Sequence, residues 1–168
     1  MAGINSKAKG NTFERKISNL FSDRFAEHLG ITKGFRRASD SGSFFGGTNK
    51  ARTETHDLSK ATFGDIITPD TFAYSIECKH YKTPPSFASI MKQDYKQLND
   101  WLSQAEQDAT ACGKRVLVIM KFNNVEEVAV ISHDDPLVNG NASVRYGSYV
   151  FVPLSKFLAG DTGLFFQS

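Results

Sequence analysis

An acid and an amine in one apolar run, Glu77 and Lys79, preceded at short range by Gly64-Asp65 and two isoleucines, are the residues best placed to do chemistry. Read as a strand, residues 72–79 alternate. Phe72, Tyr74, Ile76 and Cys78 face one way; Ala73, Ser75, Glu77 and Lys79 face the other. With Asp65 on the neighbouring strand, two carboxylates and the Cys78 backbone carbonyl converge on a hard divalent cation such as Mg²⁺, which takes oxygen ligands and keeps several waters. Lys79 would stand beside one of those waters.

Other elements must position these groups. Phe13, Ile17, Leu20, Phe21, Phe25 and Leu29 have the spacing of an amphipathic helix over 12–29, and Gly30 is placed to end it. Residues 34–38 begin a first strand. Residues 39–62, rich in Ser, Gly, Thr and Asn and without sustained period, form a long loop or mobile hairpin of a length that is usually functional. Residues 62–68 and 71–81 read as adjacent strands joined at Pro69-Asp70. Pro84-Pro85 then stops extension, and Ser86 caps one long second helix with an apolar stripe from Phe87 through Ile90, Met91, Leu98, Trp101 and Ala105 to Cys112-Gly113. Residues 115–120 are apolar on both faces, as in a doubly covered strand. Further strands follow over 125–131 and 148–153, and a short helix over 154–158. The order predicts an α/β chain with a central mixed β-sheet flanked by helices.

The 168 residues fit a single domain with one core and no staples. Two widely separated cysteines, four histidines without ligand spacing and no apolar leader argue against a disulfide framework, a zinc site or export, and favour a cytoplasmic setting. The longest apolar runs are too short to span a membrane. The net charge of +2 is small but unevenly distributed. Residues 1–37 carry eight Lys/Arg against three acids, whereas from Trp101 onward five basic residues face seven acidic ones. One basic surface suits a polyanion; a mixed solvated surface is the ordinary alternative.

The ordered set Gly10-Asn-Thr-Phe-Glu14-Arg, Gly64-Asp65 and Glu77-Cys-Lys79 resembles the PD-(D/E)XK nuclease superfamily, in particular its Holliday junction resolvase-like branch of archaeal and phage proteins. Trp101-Leu-Ser-Gln104-Ala-Glu followed by Gly113-Lys-Arg-Val-Leu-Val, and Ser41-Gly-Ser43 ahead of Gly64-Asp65, are similar to further stretches of that branch. The resemblance covers about residues 8–122. It departs from the superfamily pattern in placing Pro69-Asp70 after the motif Asp, and in the long spacer between Ser43 and Asp65.

The resemblance implies a restriction-endonuclease-like core in the order α-β-β-β-α-β, within one nuclease domain over 1–168. It implies a Mg²⁺-dependent endodeoxyribonuclease, with Mn²⁺ able to substitute, selective for branched DNA of recombination and repair and acting as a homodimer. Its catalytic set is Glu14, Asp65, Glu77, Lys79 and Gln104. Asp65, Glu77 and the Cys78 carbonyl hold the metal, and Glu14 helps directly or through water. Lys7, Lys9, Arg15, Arg36, Arg37, Ser41, Ser43, Lys50, Arg52 and Lys82 are candidates to track DNA phosphates, a salt-sensitive and sequence-independent mode.

Each residue has an ordinary reading as well. Glu14 stands at capping-box spacing from Asn11, Asp65 suits a turn, and Glu77 with Lys79 could be an exposed pair contributing little. Jointly they sit among apolar residues, where burying such charges without a shared cation is costly. A restriction-like or repair nuclease on linear duplex, and a noncatalytic DNA-binding module, are the alternatives.

Overall fold

The computed structural model describes residues 3–38, 63–138, 140 and 144–167, with side chains from residue 8 onward. Helix α1, Gly3–Leu29, leads into β1, Arg36–Arg37. Then come β2, Ile66–Ile67, and β3, Tyr74–Tyr81. Helices α2, Phe87–Met91, and α3, Lys96–Cys112, precede β4, Arg115–Phe122. Strands β5, Val128–Ser132, β6, Val144–Tyr146, and β7, Tyr149–Pro153, are followed by α4, Leu154–Leu158, and a 3₁₀ turn at Thr162–Phe165.

The seven strands form one sheet in the order β1-β2-β3-β4-β5-β7-β6. Only β3 and β4 are parallel, with Glu77 level with Val118. This is the mixed sheet with flanking helices, and the α-β-β-β-α-β order, of a restriction-endonuclease-like core. The parallel pair sits at the centre because its crossover is long enough to hold α3. Its strands are accordingly apolar on both faces: Leu117 and Ile119 join the core under α1, and Val118 and Met120 join the core under α3.

On α1, Phe13, Ile17, Phe21 and Phe25 recur every fourth residue and are all buried against Phe35, Phe72, Tyr74 and Ile76. Each such side chain contributes roughly 1.5–3 kcal/mol. Buried Ser22 accepts from the Phe35 N–H and its hydroxyl donates to the Phe35 carbonyl, both at 3.1 Å, which pins the entry to β1 against the helix. Arg37 is thereby carried alongside the middle of α1.

The structure departs from the sequence reading in several elements. Helix α1 begins about two turns earlier than residue 12, so Asn11 and Glu14 lie inside it and the capping-box reading fails. The single long second helix is two, because Gln93 takes a left-handed backbone (φ 54°) between them. The Gln93 amide is bound there, donating to the Ile90 carbonyl and accepting from the Gly147 N–H. Phe87 and Met91 are in consequence exposed and leave the core stripe. Ser86 does cap α2, accepting from the Ser89 N–H at 3.1 Å. Gly113 ends α3 at φ 68°. Strand β6 and the 3₁₀ turn were not expected. The loop at 39–62 lies outside the described residues. No helix among the described residues is long and apolar enough to cross a membrane.

Candidate active site

Gly64 makes the site possible. Its φ of +76° is a left-handed conformation, and a Cβ there would lie 2.6 Å from the Ile76 carbonyl oxygen, so only glycine lets the chain approach β3 this closely. Asp65 is then tied to β3 twice. Its N–H donates to the Ile76 carbonyl at 2.9 Å, and its carboxylate Oδ2 accepts from the Cys78 N–H at 2.8 Å. In an extended strand a residue's N–H and C=O point to the same edge. The Cys78 carbonyl therefore faces the edge where Asp65 sits, while its side chain is buried in the α1 core as expected.

Glu77 and Lys79 project from the other face of β3, towards α3. Glu77 is buried, and Lys79 donates to its Oε1 at 2.7 Å. Burial, followed by the nearby Glu77 charge, pushes the Asp65 carboxyl up to about 7, although the Cys78 N–H works in the opposite direction. Burial also raises Glu77 above the ordinary carboxylate range in spite of Lys79. Burial disfavours the Lys79 ammonium, but the Glu77 hydrogen bond and the two carboxylates outweigh it and hold the pKa above its usual value. Two desolvated carboxylates with one ammonium between them are short of positive charge.

Glu14 is held elsewhere. It is bonded to the Arg37 guanidinium, which also donates to the Asn11 side-chain oxygen at 2.8 Å. Its negative charge still raises both Asp65 and Glu77. As the side chains stand, no three His, Cys, Asp or Glu among the described residues gather closely enough to hold a metal ion. The expected three-acid cluster is thus a pair, Asp65 and Glu77, with the third acid drawn off by a guanidinium. The pair and the Cys78 carbonyl still offer an oxygen-only donor set, which suits Mg²⁺ or Mn²⁺ and not a thiolate- or imidazole-seeking metal.

Gln104 is exposed on α3. Sequence reasoning missed Asp108, four residues on, whose charge also raises Glu77. The i, i+4 relation to Gln104 was the available signal, since both lie on one helical face. Lys9, Arg15, Arg36 and Lys82 are exposed. Arg37 is committed to Glu14 and Asn11. Ser41, Ser43, Lys50, Arg52 and the Lys7 side chain lie outside the described residues. Trp101 is a core residue against the Tyr81 ring, 4.5 Å between centroids, as its place on the stripe predicts.

A family model described as "phage putative PDDEXK endonuclease" matches residues 5–152. One similar solved structure is that of Hjc, a Holliday junction resolvase from the archaeal hyperthermophile Archaeoglobus fulgidus. The identity is 17%, the match covers 90% of this chain and 93% of that one, and the TM-score is 0.38. None of the curated protein sequences compared matches the chain.

Proposed function

We propose that this chain, which belongs to the phage PDDEXK endonuclease family, hydrolyses DNA phosphodiester bonds at a centre built from Asp65, Glu77 and Lys79 with the help of a divalent cation. The observation that carries the reading is the double attachment of Asp65 to β3, which sets a second desolvated carboxylate beside the buried Glu77–Lys79 pair. Two anions left short of positive charge in this way are costly on their own and favourable around a cation.

Asp65, Glu77 and the Cys78 carbonyl hold the cation, Mg²⁺ by preference and Mn²⁺ as a substitute. When bound, it supplies Lewis acidity, lowering the pKa of water and stabilising negative charge on the phosphate. Lys79 has three N–H donors and uses one on Glu77, which leaves two to orient the attacking water or to donate to a phosphate oxygen as charge develops there. Glu14 acts through Arg37, aiming the guanidinium at a neighbouring phosphate. Asp108 adds its charge to the centre from α3, and Gln104 is assigned to the same helical face. Lys9, Arg15, Arg36 and Lys82 track the backbone.

The preferred substrate in this proposal is branched DNA cut by a homodimer, one centre per strand, with the whole chain acting as one nuclease domain. A panel of linear, flapped and four-way DNA incubated with Mg²⁺ tests it, using wild type and Lys79→Ala. Metal-dependent cutting of the four-way substrate that is lost in the variant is the expected result. Equal cutting of linear and four-way DNA by a monomer would remove the branched-substrate part, and DNA binding without any cleavage would remove the enzyme.

A further inference from the structure

We propose that a basic crevice on the α1 face of the sheet, separate from the Asp65–Glu77–Lys79 centre, seats a backbone phosphate of the DNA; this rests on the DNA-cleaving reading above. The crevice has a volume of about 350 Å³ and lies between the N-terminal half of α1 and the ends of β3 and β4. Lys9, Phe13 and Lys16 line it from the helix, His80 and Lys121 from paired positions on the two strands, and Glu127 from the approach to β5.

Three ammonium groups face one carboxylate there. That carboxylate does not close the site: it positions the lysines. Glu127 Oε1 is bonded to Lys16 and lies 3.6 Å from the Lys121 ammonium, which also donates to the Val125 carbonyl. Lysines already held in this way lose less side-chain freedom when an anion arrives. Each ammonium has three donors, so Lys16 and Lys121 retain capacity for phosphate oxygens.

His80 supplies an independent observation. Its Nδ1 is the one buried side-chain polar atom among the described residues without a hydrogen-bond partner, and its ring packs against Phe13 at 5.5 Å between centroids. Buried polar atoms are ordinarily paired. An anion in the crevice, which His80 lines, offers its imidazole an acceptor. The location also fits the substrate. His80 follows Lys79 directly on β3 and points to the opposite face, so a DNA backbone crossing the strand end meets the catalytic side and the crevice together.

The test is DNA binding by the full chain, measured by fluorescence anisotropy with chelator present across a salt series, with folding of each variant verified by thermal melting. Lys121→Gln and Lys16→Gln should each weaken binding several-fold and lower the slope of log K against log salt by about 1, the signature of one lost phosphate contact. Glu127→Gln should tighten binding several-fold, because the amide oxygen still accepts from Lys16 while the one negative charge among the described lining residues is removed. Slopes unchanged in both folded lysine variants would overturn the crevice, as would weaker binding in a folded Glu127→Gln. Wild-type cleavage, measured separately, distinguishes the two readings. Wild type that binds DNA without cutting it while the slopes fall overturns the nuclease and leaves the crevice; wild type that cuts with unchanged slopes does the reverse.

Discussion

Two carboxylates beside the parallel strand pair, the buried Asp135 and the half-buried Asp65, are treated very differently by this fold. Asp135 is surrounded by donors. Tyr74 donates its hydroxyl across both carboxylate oxygens at 2.9 and 3.0 Å, the Leu137 N–H donates at 2.9 Å, and Arg115 closes an ion pair at 3.1 Å while its guanidinium lies 4.2 Å from the Tyr74 ring centroid. Burial and the Asp135 charge push the Tyr74 phenol well above its ordinary range, so it remains a donor. Asp65 has the single Cys78 N–H among the described partners, and its nearest strong influence after burial is another carboxylate. A buried acid whose lone pairs are all used is structural; one that is left short is prepared for a ligand.

Five substitutions would break or sharpen this contrast. The largest effect is expected at the satisfied carboxylate. Asp135→Ala leaves the Tyr74 hydroxyl and the Leu137 N–H without an acceptor and Arg115 without its ion-pair partner, and should cost about 3–5 kcal/mol in urea unfolding, while cleavage per folded molecule stays near wild type. A loss of under 1 kcal/mol would mean that the network contributes little.

At the underfilled site, Lys79→Ala should reduce cleavage at saturating DNA by about 10²–10³-fold. Calorimetry should detect Mg²⁺ or Mn²⁺ binding in that variant and none in Glu77→Ala. Cation affinity that survives removal of Glu77 would contradict the assigned division of roles.

Asp65→Asn should abolish cleavage yet stabilise the cation-free protein at pH 8. The sign follows from a folded-state pKa near 7 against an ordinary value of 3.8: the Asp65 carboxyl costs nothing below about pH 4 and destabilises progressively as pH rises through 7. The gain in the variant should be on the order of 2 kcal/mol at pH 8. It should fade as the pH falls from 7 to 4, since the neutral carboxylic acid then resembles the amide. A variant less stable than wild type at pH 8 without cation would show that Asp65 is adequately partnered.

The smallest effect is expected at Glu14→Gln, about tenfold or less in cleavage, because this acid acts through Arg37. A loss as deep as that of Glu77→Ala would place Glu14 on the cation itself.

Much of the centre was legible from local pattern. Alternation along 72–79 separated Glu77 and Lys79 from the apolar face, and Gly64-Asp65 stood where a neighbouring strand had to begin. The Tyr74–Asp135–Arg115 network was not legible, because its members are separated by 20 residues or more and meet only when β4 is laid parallel to β3. The same holds for Glu14, whose partner is 23 residues away on a two-residue strand. The break at Gln93 was hidden because the long-range side-chain bonds that support it, to Arg145 and Gly147, come from the β6–β7 edge of the sheet, more than 50 residues on.

By itself, then, the order of residues determined most of the elements, the two faces of β3 and the identity of the oxygen donors proposed to hold a cation, since these depend on periodicity and on side-chain chemistry within a few neighbours. Only the tertiary structure decided which charges would be paired and which left short. Burial removes the water that would otherwise satisfy them all alike, so what each carboxylate becomes depends on the donors that distant segments bring to it.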